Sequence, residues 1–189
     1  IQWRENFPPH AWKADEYQLS AWQQKIRLCA QATADTFETH TEALNLGELR
    51  DSLAFSMVCD TQNIGLFSNT LRDFLERLGL DEAHCYNVDL AVSECLTNVM
   101  IHGFRAVQPK PATIAILAFE HGVAAMVCDQ GNPVPKAVLD RMRVDTSFEP
   151  DLNLADLPEG GMGLKFMRMV SRRFLYESDS GMNTLWMVF

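Results

Sequence analysis

The sequence lacks any long run of apolar residues. The longest runs, such as residues 112–119, fall far short of the roughly 20 residues that a membrane-spanning helix needs. The first residues, from Ile1 onwards, show no signal-peptide pattern either. We therefore expect a cytoplasmic protein that is not associated with a membrane.

Cysteine occurs without any paired spacing. There are five cysteines, an odd number, and they lie in apolar surroundings. They are Cys29, Cys59, Cys85, Cys95 and Cys128. This pattern is atypical of a disulfide framework or a zinc site, and it favours reduced, buried thiols in the cytosol.

Basic residues are scarce relative to acidic ones. The chain has 16 Lys and Arg against 25 Asp and Glu, and its formal net charge is -9. Because nucleic-acid backbones are held mainly by clustered Lys and Arg, this balance argues against a nucleic-acid partner. A single nucleotide stays compatible with it, since bound ATP needs only a magnesium ion and a few oriented backbone amides.

The length predicts one compact domain with a modest extension. The chain has 189 residues, of which 47% are hydrophobic, enough for one sizeable core. Its character changes near Leu46 and Gly47, so we place a helical N-terminal extension over residues 1–50 and the main domain over residues 51–189. Within the extension, apolar residues at three-to-four spacing predict a helix over residues 17–44. These residues are Trp22, Ile26, Cys29, Ala30 and Thr33.

Hydrophobic periodicity and turn residues give the order of elements in the main domain. We expect a strand at 53–58, a helix at 69–78, a second helix after Asp81, and a hairpin of strands 114–119 and 123–128. A lid should follow at 133–159, with a short helix at 136–143. The chain should end with a helix after a glycine cluster and a hairpin of strands 174–177 and 184–189. This order predicts an α/β two-layer sandwich, a mixed β-sheet with helices on one face.

The first informative motif, VDLAVSECLTNVMIHGF, covers residues 88–104 of the long helix. Glu94, Asn98 and His102 form a polar row beside an apolar stripe. A carboxamide offers a neutral oxygen ligand to magnesium, and a carboxylate can take a proton from an attacking hydroxyl or water. For this segment alone, an ordinary amphipathic helix with a solvated side is the alternative. His102 alone is more typical of a structural residue at the margin of a site.

The second motif, VCDQGNPVP, covers residues 127–135, where an apolar strand runs into Asp-x-Gly. The carboxylate of Asp129 could accept a hydrogen bond from the exocyclic amino group of a purine. Gly131 has no side chain, so a flat ring could approach the backbone there. Taken alone, a plain turn explains this segment better.

The third motif, LPEGGMGLKFMRMV, covers residues 157–170, where a glycine cluster leads into a helix. Glycines at a helix start expose amide donors and let phosphate oxygens approach closely. The segment is neither a Walker loop nor a dinucleotide fingerprint. A flexible loop with a helix cap is the alternative.

Together and in this order, the three motifs resemble those of the histidine-kinase-like ATPase superfamily: an N box, Asp-x-Gly, a lid and Gly-x-Gly. Within it, residues 53–189 are most similar to the anti-sigma factor serine-protein kinases. The resemblance implies a Bergerat fold, with Glu94 as general base and Asn98 as magnesium ligand. It further implies that the nucleotide is bound by Asn98, His102, Asp129, Gly131, Gly161, Met162, Gly163, Leu164 and Thr184.

The function implied by this resemblance is that of an ATP- and magnesium-dependent serine-protein kinase and anti-sigma factor. Its substrate would be a small anti-sigma factor antagonist in a partner-switching circuit, and a sigma factor would be a further partner. A homodimer is compatible with the resemblance.

Two alternatives stay open. One is an ATP-binding module that sequesters a partner without phosphotransfer. The other is a sensor histidine kinase with His40 as phosphoacceptor. The chain also departs from the family, since Pro133 stands in the first glycine box and should stiffen the hinge of the lid. A basic stretch, residues 171–173, follows the glycine-box helix where the family tends to be acidic.

Overall fold

The computed structural model describes residues 16–31, 44–105, 110–144 and 162–189. The helices are α1 (Glu16–Gln31), α2 (Thr61–Arg77), α3 (Glu82–Asn98), α4 (Lys136–Val144) and α5 (Met162–Val170), and a π-helical turn (Val99–Gly103) continues α3. The strands are β1 (Leu49–Val58), β2 (Pro111–Phe119), β3 (Gly122–Asp129), β4 (Arg173–Asp179) and β5 (Met182–Val188). The α/β class predicted from the sequence is confirmed.

The five strands form one sheet in the order β1-β2-β3-β5-β4. Each pair of neighbours is antiparallel, so the described sheet is antiparallel rather than mixed as predicted. The connection through α5 returns the chain so that β4 runs in the same direction as β3. Strand β5 lies between these two and runs opposite to both, so the two parallel strands are not neighbours.

Helices α2, α3 and α5 cover one face of the sheet and enclose the main core. Strand residues such as Phe55 and Ile114 reach this core at every second position, because successive side chains of a strand point to opposite faces. From the helices, Leu71, Phe74 and Val92 are almost fully buried in the same cluster. This packing confirms the predicted layer of helices against a sheet.

Helix α1 adds a further layer on the opposite face of the sheet. Ile26 of α1 is fully buried in a second apolar cluster that includes Trp186 of β5. Lys25 forms an ion pair with Glu177 of β4 at 2.5 Å. The expected helices on one face are therefore joined by α1 on the other, because the extension folds back over the sheet. The domain boundary at residue 50 stays a prediction.

Local sequence explains where the two long helices begin. Asp60 precedes α2, and its carboxylate accepts a hydrogen bond from the amide of Asn63 at 2.8 Å. Asp81 precedes α3, as predicted, and accepts from the amide of His84 at 2.9 Å. Each cap satisfies an amide that has no partner within its helix. With the cap at Asp60, α2 begins well before the predicted residue 69.

Some sequence predictions fall outside the described residues. They concern residues 145–159 of the predicted lid, Gly161, and His40 of the histidine-kinase alternative. The short helix predicted within the lid is present as α4. In the ranges that the structure describes, no helix is long and apolar enough to cross a membrane.

Candidate functional site

The candidate site lies where the C-terminal half of α3 faces the first turn of α5. Glu94 and Asn98 are one helical turn apart on α3, and both are partly buried. Gly163 of α5 is so close that a Cβ atom there would lie 2.5 Å from Glu94 Oε2 and 3.3 Å from Asn98 Nδ2. The structure therefore brings the first and third motifs into contact, as the motif analysis required.

Asn98 presents an unsatisfied group to this contact. Its Nδ2 atom is buried and has no hydrogen-bond partner among the described residues. A buried polar group without a partner costs on the order of 1–3 kcal/mol, which a bound ligand can recover. This N–H donor suits an acceptor on a ligand, such as a phosphate oxygen, while the predicted role of the Asn98 oxygen as magnesium ligand stays a prediction.

The same residues fit a magnesium ion that arrives with a nucleotide. The described residues contain no group of three or more His, Cys, Asp and Glu side chains that could hold a metal by themselves. Magnesium usually keeps several waters and is bound by one or two protein oxygens together with substrate phosphates. A carboxamide oxygen from Asn98 and phosphate oxygens suit that coordination.

The first turn of α5 offers backbone amides that could bind an anion. Helix α5 begins at Met162 and continues through Gly163 and Leu164. The first amides of a helix lack intrahelical acceptors and lie at its positive end, so they favour anions. Leu164 packs partly buried against the main core, which anchors this turn on the sheet.

Asp129 lies at the end of β3 and is only 8% exposed. Its Oδ1 atom accepts a hydrogen bond from the amide of Gly131 at 2.6 Å and another from Nδ2 of Asn183 at 3.1 Å. With Oδ1 held twice, Oδ2 is the oxygen that can serve a donor on a ligand. This arrangement suits the exocyclic amino group predicted from the sequence.

The Asp-x-Gly loop is fixed to the end of α3 by close backbone contact. A Cβ atom on Gly131 would lie 2.8 Å from the Cα and carbonyl carbon of Gly103. The backbone amide and Nδ2 of Asn132 both donate to the carbonyl of Gly103 at 2.9 Å. Gly103 ends the π-helical turn, a local feature often found at functional sites. The first two motifs are thereby held together.

His102 lies in this π-helical turn and is exposed. The turn departs from α-helical geometry, so the polar row predicted from Glu94 and Asn98 is not continued with the same spacing. His102 thus lies at the margin of the site.

Thr184 does not lie beside Asp129, which corrects the sequence prediction. It pairs across the sheet with Cys128, and its Oγ1 donates to Cys128 Sγ at 3.6 Å on the face that α1 covers. Asp129 pairs with Asn183 instead, because neighbouring residues of β5 point to opposite faces. Sequence analysis missed Asn183. No period-two signal could separate the two faces of β5, since both carry apolar residues.

The buried thiols near the site have raised pKa values. Burial, with a smaller contribution from the Asp129 carboxylate, raises the pKa of Cys59 to about 12. The same two causes raise the pKa of Cys95. A protonated thiol is a poor nucleophile and metal ligand. Cys59, Cys85, Cys95 and Cys128 are free thiols, and we assign none of them a role in the site.

A cavity of about 350 Å3 lies at the other end of the sheet. Its lining includes Gly122 at the start of β3 and His84 in the first turn of α3. Asp129 and Asn98 lie at the opposite ends of these two elements. This cavity is therefore separate from the candidate site.

This arrangement of helices and motifs on one face of the sheet is that expected of a histidine-kinase-like ATPase domain. The family model described as "Histidine kinase-like ATPase domain" matches residues 59–189. The chain belongs to this family.

The chain is similar to curated serine-protein kinases named RsbW. It is 25% identical to that of Bacillus licheniformis over 118 residues, which cover 62% of this chain and 72% of the relative. It is 24% identical to that of Bacillus subtilis (strain 168) over 132 residues, which cover 69% of this chain and 81% of the relative. The resemblance stated from the motifs is confirmed.

Two solved structures share the fold. The RsbU and RsbW domains of a Mycobacterium tuberculosis protein match with a TM-score of 0.52 at 18% identity, covering 74% of this chain and 32% of that chain. The chain thus spans about a third of that solved chain. The SiaB-SiaC complex from Pseudomonas aeruginosa matches with a TM-score of 0.51 at 13% identity, covering 93% of this chain and 100% of the other.

Proposed function

We propose that the protein is an ATP- and magnesium-dependent serine-protein kinase that acts as an anti-sigma factor in a cytoplasmic partner-switching circuit. Its substrate is a small antagonist protein, and a sigma factor is its second partner. The observation that carries the proposal is the contact of Gly163 with Glu94 and Asn98, which puts a helix N-terminus against an acid and an amide. The similarity to serine-protein kinases supports the same conclusion.

The binding part of the mechanism divides between two regions. Asp129 accepts from the adenine amino group through Oδ2, and the amide of Gly131, which packs against Gly103, holds Oδ1 of the same carboxylate. The amides at the start of α5 donate to phosphate oxygens, and Asn98 holds the magnesium ion through its carboxamide oxygen. The bound ion would supply positive charge against the negative charge that develops on the phosphates.

Glu94 performs the proton transfer. Its carboxylate lies on the same helix face as Asn98, one turn earlier, so it can face the attacking hydroxyl of a serine next to the terminal phosphate. The carboxylate accepts the hydroxyl proton as the serine oxygen bonds to phosphorus and the bond from phosphorus to the bridging oxygen of ADP breaks. Two negative groups, the carboxylate and the phosphates, can approach here because magnesium and the helix N-terminus offset their repulsion.

The informative variant is Glu94→Gln. It keeps size and hydrogen bonding but cannot accept a proton, so we expect phosphotransfer to slow by about a hundredfold or more, with ATP affinity within a few fold of wild type. Single-turnover transfer from labelled ATP to the co-purified partner measures the first quantity, and calorimetry measures the second. Glu82→Gln, an exposed carboxylate at the far end of the same helix, is the matched control.

The same assay separates the alternatives. If wild type binds a partner tightly but transfers no phosphate to it, the kinase proposal fails, and ATP-gated sequestration becomes the better explanation. An acid-labile label on the protein itself would instead favour a histidine kinase with His40 as acceptor.

A further inference from the structure

Asn183 forms hydrogen bonds with four groups around the candidate base contact, and it is only 3% exposed. Its Nδ2 atom donates to Asp129 Oδ1 at 3.1 Å and to the carbonyl of Gly131 at 3.0 Å. Its Oδ1 atom accepts from the hydroxyl of Tyr176 at 3.1 Å and from the hydroxyl of Ser178 at 2.9 Å. One buried carboxamide therefore satisfies two acceptors and two donors at once.

The orientation of this carboxamide is determined by its partners. A carboxylate and a carbonyl can only accept hydrogen bonds, so a turned-over Asn183 amide would place its oxygen against two groups that offer it no donor. Strand register supports the same geometry, because Asp129, Asn183 and Ser178 form one cross-strand row over β3, β5 and β4. The position of the Asp129 carboxylate thus depends on a neighbour that is itself fixed.

The network reaches the chain that leads to α4. The backbone amide of Val134 donates to the hydroxyl of Tyr176 at 2.9 Å, and that hydroxyl donates to Asn183. Burial raises the pKa of Tyr176, so the hydroxyl keeps the proton that it donates. Asp129 and the backbone beside Pro133 are therefore connected through two side chains.

We propose that Asn183 is a positioning residue that determines base specificity. Asn183 holds Oδ1 of Asp129, so that Oδ2 faces the base. Because Oδ2 can only accept a hydrogen bond, it favours an amino group over a carbonyl at the same ring position. Adenine carries an amino group there and hypoxanthine a carbonyl, so the site should prefer ATP to ITP. The inference rests on the proposed function, since it takes Asp129 as the adenine contact.

The first test compares ATP and ITP affinities by calorimetry in wild type and Asn183→Leu. Leucine has a similar size but no hydrogen-bonding groups, so Asp129 loses one of the two partners of Oδ1 and can rotate. We expect ATP affinity to fall about tenfold or more, and the preference for ATP over ITP to shrink with it. Asn69→Leu makes the same chemical change at an exposed position of α2 and should alter neither quantity.

The second test uses pH. Asn183→Asp places two carboxyl groups within hydrogen-bonding distance, so they share a proton and one of them acquires a raised pKa. Below that pKa, the shared proton keeps Asp129 in place. As pH rises through it, both groups become charged, Asp129 is displaced, and ATP affinity relative to wild type at the same pH should fall. A merely structural role for Asn183 gives no such profile.

The outcomes separate the two proposals. If wild type binds ATP and ITP equally well, the adenine role of Asp129 fails, and the proposed base contact fails with it. If wild type discriminates and a folded Asn183→Leu variant discriminates equally well, the positioning role is overturned while the proposed function stands. Should Asn183→Leu not fold, Tyr176→Phe decides: it leaves Asp129 untouched but removes one partner of Asn183, and an unchanged ATP preference there also overturns the role.

Discussion

Gly131 and Gly163 both lie against neighbours that exclude a side chain, but the neighbours differ. A Cβ atom on Gly131 would meet the backbone of Gly103 at 2.8 Å, and backbone cannot move without shifting the π-helical turn. A Cβ atom on Gly163 would meet the end of the Glu94 side chain, which can rotate away. Gly131 is therefore needed for this backbone packing, whereas Gly163 allows the close approach of α5 to Glu94, where we propose the phosphate contact.

The two alanine variants should separate stability from binding. Gly131→Ala should lower the free energy of unfolding by about 1–3 kcal/mol, because a close backbone contact is forced apart. Gly163→Ala should change it by no more than about 1 kcal/mol, since better helix propensity offsets the movement of Glu94. ATP affinity should nevertheless fall in Gly163→Ala. Urea unfolding and calorimetry on both variants check this, and a Gly163→Ala variant that binds ATP normally would contradict the phosphate role.

How much of the site the sequence could predict depends on which interaction places each residue. Glu94 and Asn98 follow from helical spacing, and the turn after Asp129 follows from its local residues. Asn183 could not be found in this way, because only strand register decides which residue of β5 faces Asp129. The resemblance pointed to Thr184, one residue away, and in a strand one residue is the difference between two faces.

At the scale of elements, the first turn of α5 lies against α3 through Gly163, Glu94 and Asn98. The first amides of a helix lack intrahelical acceptors and favour anions, and we propose that phosphates contact them beside Glu94. The proposal therefore predicts that ATP binding changes the environment of this turn.

Hydrogen exchange measures that change directly. We expect the amides in the first turn of α5 to exchange rapidly in the free protein and to be protected when ATP and magnesium are present. The α2 amides, on the far side of α3, should exchange alike in both conditions. With EDTA the protection should weaken, because the coordination through Asn98 is lost. Equal exchange with and without ATP would mean that α5 does not contact the phosphates.

Element boundaries show a similar division between local and tertiary causes. The start of α3 was predictable, because Asp81 is a good cap with a periodic apolar pattern behind it. The start of α2 was not, since Asn63 and Gly65 are poor helix formers. Ile64 and Phe67 are buried against the sheet, so tertiary packing extends this helix against local preference.

At the scale of the whole molecule, the candidate site lies on one side of the sheet and the apolar cluster under α1 on the other. The side covered by α2, α3 and α5 holds the candidate site, with Asp129 on strand β3 and Glu94 and Asn98 on helix α3. The other face carries the apolar cluster around Trp186, which α1 covers through Ile26. This separation predicts that α1 can be disturbed without loss of nucleotide binding.

Ile26→Asp tests that separation, with Tyr17→Asp as its control on the same helix. Ile26 is fully buried and Tyr17 is 83% exposed. A buried unpaired carboxylate costs several kcal/mol or more, so α1 should detach in Ile26→Asp and expose the cluster around Trp186. We expect stronger binding of an apolar dye and a tendency to self-associate, with ATP affinity within a few fold of wild type, while Tyr17→Asp behaves as wild type. If Ile26→Asp instead abolishes ATP binding along with the fold, α1 belongs to the same cooperative unit as the site, and the boundary at residue 50 is not a domain boundary.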